Sequence, residues 1–145
     1  MEPSQTPKYI TTLEKENEEL KDRVAQLSDF IEHGAVPLHS INADGIIIWV
    51  NQAELDLLGY SREEYLGKPI TDFHQDPTMI QELFKRVLNH ETLSDYPATL
   101  ICKDGSLKYV VISSNGLFKN GEFIHSRCFT KDITALVREE ERKIS

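Results

Sequence analysis

The stretch YPATLICKDGSLKYVVISSNGLFKNGEFIHSRCFTK, residues 96–131, decides the fold. Its period is two, with β-branched and aromatic residues in three runs: 96–103, 107–118 and 122–131. That pattern predicts three strands. Asp104-Gly105 and Asn120-Gly121 separate them. Both pairs tolerate positive φ, so each run folds back on the one before as a hairpin. Along the strands Ala98, Leu100 and Cys102 alternate with Thr99, Ile101 and Lys103. Val110, Ile112 and Ser114 alternate with Tyr109, Val111 and Ser113. On the last strand Ile124, Ser126, Cys128 and Thr130 alternate with Phe123, His125, Arg127 and Phe129.

Upstream the pattern is mixed. Residues 39–42 read as a short strand, Asp44-Gly45 as a tight turn and residues 46–50 as a second strand. Asn51 to Glu54 has N-cap and capping-box chemistry and opens a short helix carrying Leu55, Leu57 and Leu58. Ser61 to Glu64 is a second capping box, whose helix stops near Gly67. Asp76-Pro77 places an N-cap before a proline at the first helical position. The helix that follows carries the stripe Met79, Ile80, Leu83, Val87 and Leu88, with Lys85 and Arg86 opposite. Strands bracket helices, which predicts an α+β domain with an antiparallel sheet and helices on one face.

The amino-terminal segment has another period. Ile10, Asn17, Val24 and Ile31 recur every seven residues, and Leu13, Leu20 and Leu27 follow each of the first three by three. These are the a and d positions of a coiled coil. Glu16 at g and Lys21 at the next e are spaced for an interchain ion pair. Two Asn17 side chains hydrogen-bond across the axis only in parallel register, so this residue lowers stability and fixes alignment. The alternative is one amphipathic helix folding back on its own domain. Residues 27–31 are the part expected to leave the coil and pack there. The expected layout is a disordered stretch at 1–7, a coiled-coil helix at 8–32, a domain at 33–134 and the start of a linker helix at 135–145.

Composition excludes several functions. Sixteen basic against twenty-four acidic residues leave a net charge of -8, without the positive footprint of a nucleic-acid binder. The same surplus disfavours an anionic membrane surface. Half of it sits in residues 1–32, where eight acidic residues face four basic ones. No apolar run approaches the about 20 residues of a membrane span. The start, Met1 to Gln5, lacks the basic and apolar regions of a secretory signal, so the expected compartment is the cytoplasm. Cys102 and Cys128 form neither a CxxC pair nor a disulfide scaffold. No nucleophile elbow, phosphate-binding loop or metal-ligand pair occurs, and His74 with Asp76 reads more simply as a helix start than as an acid–base pair.

The order of these elements and their punctuation resembles a PAS domain, the sensory module of many bacterial signalling proteins. The resemblance covers residues 32–134. It rests on Asp44-Gly45, Asn51, Leu58-Gly59-Tyr60-Ser61 running into Glu64, Asp104-Gly105 and Asp132-Ile133-Thr134, in the family's order. The segments 73–77 and 127–132 are similar to the PAS domains of sensor histidine kinases. The resemblance implies a five-stranded antiparallel sheet in the order 2-1-5-4-3, helices over one face and a ligand core between them. It also implies dimeric helices on either side that couple the core to an output domain outside this chain.

Further site expectations follow from the resemblance. The sets beginning with Ala98, Val110 and Ile124 would face the helices. Trp49, Met79, Leu83, Leu100, Ile112, Ser114, Ser126 and Cys128 would then line a ligand pocket, with Ser114, Ser126 and Cys128 as its polar patch. The alternative is that these small side chains make room for Trp49, Met79 or Leu83. The opposite face, with Tyr109, Val111, Phe123 and Phe129, needs a cover. Asp132 and Thr134 would form a signal junction, with Thr134 an N-cap of the exit helix. The loop at 67–75 lacks the cysteine of LOV-type flavin receptors, and the turn near 79–83 lacks a haem-ligating histidine. Haem and a covalent flavin adduct are therefore disfavoured, and the cofactor, if any, is unknown. His74 and His90 read as capping or surface residues. The expected function is a sensory and dimerisation module without catalysis of its own, forming a parallel homodimer and holding a small-molecule ligand. The rival is a ligand-free interaction scaffold.

Overall fold

A computed structural model describes Pro3 and residues 5–144 of the chain. Its elements are α1 (Thr6–Glu32), β1 (Leu38–Ile41), β2 (Ile47–Val50), α2 (Gln52–Leu58), α3 (Arg62–Tyr65), a 3-10 turn at Ile70–Phe73, α4 (Pro77–Leu88), β3 (Leu93–Ile101), β4 (Leu107–Lys119), β5 (Glu122–Asp132) and α5 (Thr134–Ile144). The helix expected from residue 8 starts at Thr6, with Pro7 in its first turn. The expected disorder at 1–7 concerns in part Met1, Glu2 and Ser4, which lie outside the described residues.

The five strands form one antiparallel sheet in the order β2-β1-β5-β4-β3. The turn chemistry is where the sequence put it. Asn120 (φ 51°) and Gly121 (φ 80°) both take the left-handed conformation, as a tight β4–β5 turn requires. The cap of α3 is a reciprocal box: Ser61 Oγ accepts from Glu64 N, and Glu64 Oε1 accepts from Ser61 N. Asp76 Oδ1 accepts from Thr78 N and starts α4, with Pro77 at N1.

Three bulges reset the sheet where simple alternation fails. One extra residue moves every later side chain to the other face. Between His125 and Phe123, β5 takes two steps against one on β4, so Ile124 is the extra residue. Ile124 is therefore exposed, contrary to its expected helix-facing place. Phe123 turns inward instead and meets Phe84 of α4 edge-on at 5.8 Å. A second bulge lies where Trp49 pairs with Ser40 and Ile47 with Ile41, leaving Ile48 over. A third interrupts β3 at Ser94-Asp95, with Asp95 at φ 52°. It hides the start of β3, which the alternation placed at residue 96 and the structure places at Leu93. The same strand stops at Ile101, so Cys102 lies in the turn rather than on a strand.

The core lies between the inner sheet face and α2, α3, the 3-10 turn and α4. Ile80, Leu83 and Val87 of α4 meet Leu93, Leu100, Val110 and Ile112 there. Leu83→Ala is expected to cost about 2–5 kcal/mol, because a packed core relaxes only partly around a cavity. Met79→Ala, at the half-buried margin of α4, should cost less than about 2 kcal/mol. Urea denaturation of the two variants checks the difference.

Candidate functional site

The centre of the core is polar. His39 of β1 stands opposite Cys128 of β5 and Val50 of β2. Its Nδ1 lies 3.4 Å from Glu54 Oε2, with both side chains under 5% exposed. Thr130 Oγ1 donates to Glu54 Oε2 at 3.2 Å. Ser114 Oγ and Ser126 Oγ lie 3.0 and 3.2 Å from Cys128 Sγ. Ser126 Oγ accepts from Ile41 N at 3.0 Å, which leaves its own proton for the sulfur. That bond also ties β1 to β5 beyond their short ladder, which pairs only Leu38 and His39.

Charge decides how this cluster behaves. Burial works against a protonated His39, but Cys128 and the Glu54 carboxylate outweigh it and hold its pKa well above the usual value. Burial pushes the Cys128 thiol up, but His39, Ser114 and Ser126 bring its pKa below the ordinary thiol range. The His39 charge has its partner in Glu54, 3.4 Å away, and a buried ion is tolerated only when paired and hydrogen-bonded. His74 differs. It is buried too, and desolvation first, then the positive charge of His39, bring its pKa down to about 3. His74 is therefore a neutral core residue rather than a surface one, and it does cap the 3-10 turn, its backbone N–H donating to Thr71 O.

Leu100, Ile112, Ser114, Ser126 and Cys128 are buried on the inner face of the sheet, and Leu83 of α4 is buried against it. Met79 is half-buried at its edge. Trp49 is misplaced by the pocket expectation. It pairs with Ser40 on the outer face, because Val50, opposite His39, holds the inner position next to it. Sequence reading missed His39, Glu54 and Thr130. The pattern from Asn51 to Glu54 makes Glu54 the return arm of a capping box. Asn51 does accept from Glu54 N, but the Glu54 carboxylate goes to His39 and Thr130. A signal was present: Glu54 shares the buried face of α2 with Leu55 and Leu58, where a solvent-facing cap residue would not sit.

The second candidate feature is the exit. Thr134 is the first residue of α5, so it is not the N-cap expected. Its hydroxyl donates to Asp132 Oδ1 at 2.5 Å and accepts from Tyr109 N at 3.0 Å, which pins α5 to β4. Asp132 Oδ1 also accepts from Thr134 N at 2.9 Å, and its Oδ2 lies 3.8 Å from Lys108 Nζ. Partial burial raises the Asp132 pKa, but the two Thr134 hydrogen bonds, Lys108 and Arg138 outweigh it and keep it below the usual value.

A profile of the PAS domain family matches residues 35–135, over two thirds of the chain and the whole of the sheet and its helices. The chain belongs to the PAS domain family. The PAS fold is shared with many solved domains. The PAS domain of an HTR-like protein from Haloarcula marismortui superposes with a TM-score of 0.73 at 24% identity, covering 83% of this chain and 99% of that one. A domain of a sensory box sensor histidine kinase/response regulator from Geobacter sulfurreducens gives 0.65 at 21%, covering 78% and 96%. The LOV domain of a blue-light activated histidine kinase from Erythrobacter litoralis gives 0.60 at 21%, covering 68% and 96%. No curated protein matches the sequence significantly. PAS domains are sensory modules, and this one carries its polar cluster on the helix-facing side of the sheet. Among the described residues no three of His, Cys, Asp and Glu are grouped to hold a metal ion, and no helix is long and apolar enough to cross a membrane.

Proposed function

We propose that this PAS domain is a cytoplasmic sensory and dimerisation module. It couples the state of its core to α1 and α5, and through them to an output domain outside this chain. Kinase activity, where the full system has it, belongs to that output domain. The observation that carries the reading is α1. It runs 27 residues and buries none of them, although Ile10, Leu13, Leu20, Val24, Leu27 and Ile31 are each at least 40% exposed along one heptad seam with Asn17. The seam side chains, Leu27 and Ile31 included, stay exposed, and only the end of α1 is tied to the domain, through Ile31 O and the Glu32 carboxylate. A second copy in parallel register covers the seam and pairs Asn17 with Asn17. The histidine-kinase origin of some structural neighbours supports an output of that class.

Sedimentation of the whole chain and of residues 32–145 tests the dimer. The whole chain is expected to be a dimer and the truncated one to dissociate at least tenfold more readily. Equal dimerisation of the two would refute the role of α1.

The ligand would enter beside Ser114, Ser126 and Cys128, whose polar atoms offer orientation within apolar walls. The scaffold reading is favoured by one observation, that the cluster satisfies its own hydrogen bonds. Native mass spectrometry separates the two. A bound mass supports sensing of a small molecule, and a bare dimer with no response to added metabolites supports the scaffold. The acidic surplus supports neither nucleic acid nor membrane as partner.

A further inference from the structure

Asn51 is completely buried, and its side chain makes four hydrogen bonds to four different segments. Oδ1 accepts from Leu38 N at 2.9 Å, where β1 begins, and from Glu54 N at 3.1 Å, in the first turn of α2. Nδ2 donates to Ile31 O at 3.0 Å, in the last turn of α1, and to Val36 O at 2.8 Å, in the connection to β1. An amide offers two acceptor sites and two donors, so this one is fully used. A helix cap requires only the bond to Glu54 N. The other three are outside that duty, and the two donors hold the last turn of α1 and the connection that follows it. One turn along, the same helix places Glu54 against His39 and Thr130. Arg62 adds a second tie, bonding both Val50 O and the Glu32 carboxylate at the end of α1.

We propose that Asn51 is the positioning residue that transmits the state of the His39–Glu54–Thr130 cluster to α1. A shift in Glu54 moves the first turn of α2. Asn51 moves with that turn, and the Ile31 and Val36 carbonyls follow. The link serves the sensory function proposed above, yet it is fixed by bonds within one chain. It therefore stands or falls separately from the dimer and from any ligand.

Hydrogen exchange on the full chain tests it, with residues 29–33 as readout and β4–β5 amides as the control for global unfolding. Glu54→Gln keeps the shape of the side chain and removes its charge. Asn51→Ser keeps a hydroxyl to cap α2 and removes both donors. Asn51→Asp, which keeps both accepted bonds, replaces it where the serine variant does not fold. Glu54→Gln is expected to change exchange at residues 29–33 at least threefold in the native background and less than 1.5-fold beside the Asn51 substitution, after correction for the β4–β5 control. The proposal is overturned if the Glu54→Gln effect is the same in both backgrounds, or if it never reaches residues 29–33.

Discussion

Glu54→Ala is expected to destabilise the domain by about 3–5 kcal/mol, the cost of leaving one half of a buried ion pair without its partner. Three consequences add up at this site. His39, under 5% exposed, loses the carboxylate that favours its proton. Thr130 Oγ1 loses its acceptor. The removed side chain leaves a gap beneath β1 and β5. The double variant His39→Leu with Glu54→Leu should behave differently. Paired apolar replacement of a buried ion pair is often neutral or stabilising. Its cost is expected to fall below that of Glu54→Ala despite removing more polar groups. Chemical denaturation of both variants measures this. Equal losses would mean that the pair contributes packing alone.

The second large effect is a stability maximum near pH 6.5, shaped by two buried histidines of opposite behaviour. His74 has its folded pKa brought down to about 3. Between that value and the unfolded value of about 6.5, only the unfolded chain binds this proton, so stability falls as pH drops. The slope is about 1.4 kcal/mol per pH unit, or about 2 kcal/mol between pH 6.5 and 5. His39 has its folded pKa raised. Its contribution is fully present below about pH 6.5 and is lost as pH rises towards the folded value, while the lowered Cys128 pKa acts the other way and makes this limb the shallower one. His74→Leu should flatten the acid limb and leave the alkaline limb, and urea midpoints at pH 5, 6.5 and 8 check this. An unchanged acid slope in His74→Leu would show that another group produces it.

Much of the fold was legible because its signals are local. Asn120-Gly121, the Ser61–Glu64 box and Asp76-Pro77 each act within a few residues, and each does what its chemistry predicts. The strand order came from a resemblance and holds. The reversed faces on β5 have one cause. Bulges at Ile48, Ser94-Asp95 and Ile124 insert single residues that no periodicity announces, and the last of them reverses the faces expected for Phe123 and Ile124. The site was half legible. Ser114, Ser126 and Cys128 lie between bulges, where alternation works, and they do converge. The partners of the buried charge were hidden by distance in sequence. Glu54 and Thr130 are 76 residues apart, and only the closed sheet brings them together. At the exit, Asp132 and Thr134 are legible as a junction, but the bond from Tyr109 N to Thr134 crosses 25 residues and no local pattern announces it.

The central claim is that the state of the buried cluster sets the geometry of α1 in a dimer. A spin label at Ala25→Cys, exposed at a b position outside the heptad seam, reports it directly. Cys102 and Cys128 are buried and leave labelling to the new thiol. Double electron–electron resonance then compares the native cluster with Glu54→Gln. One defined interchain distance is expected in the native dimer and a shifted or broadened distribution in the variant. Identical distributions in two folded dimers, or no interchain distance at all, would contradict it.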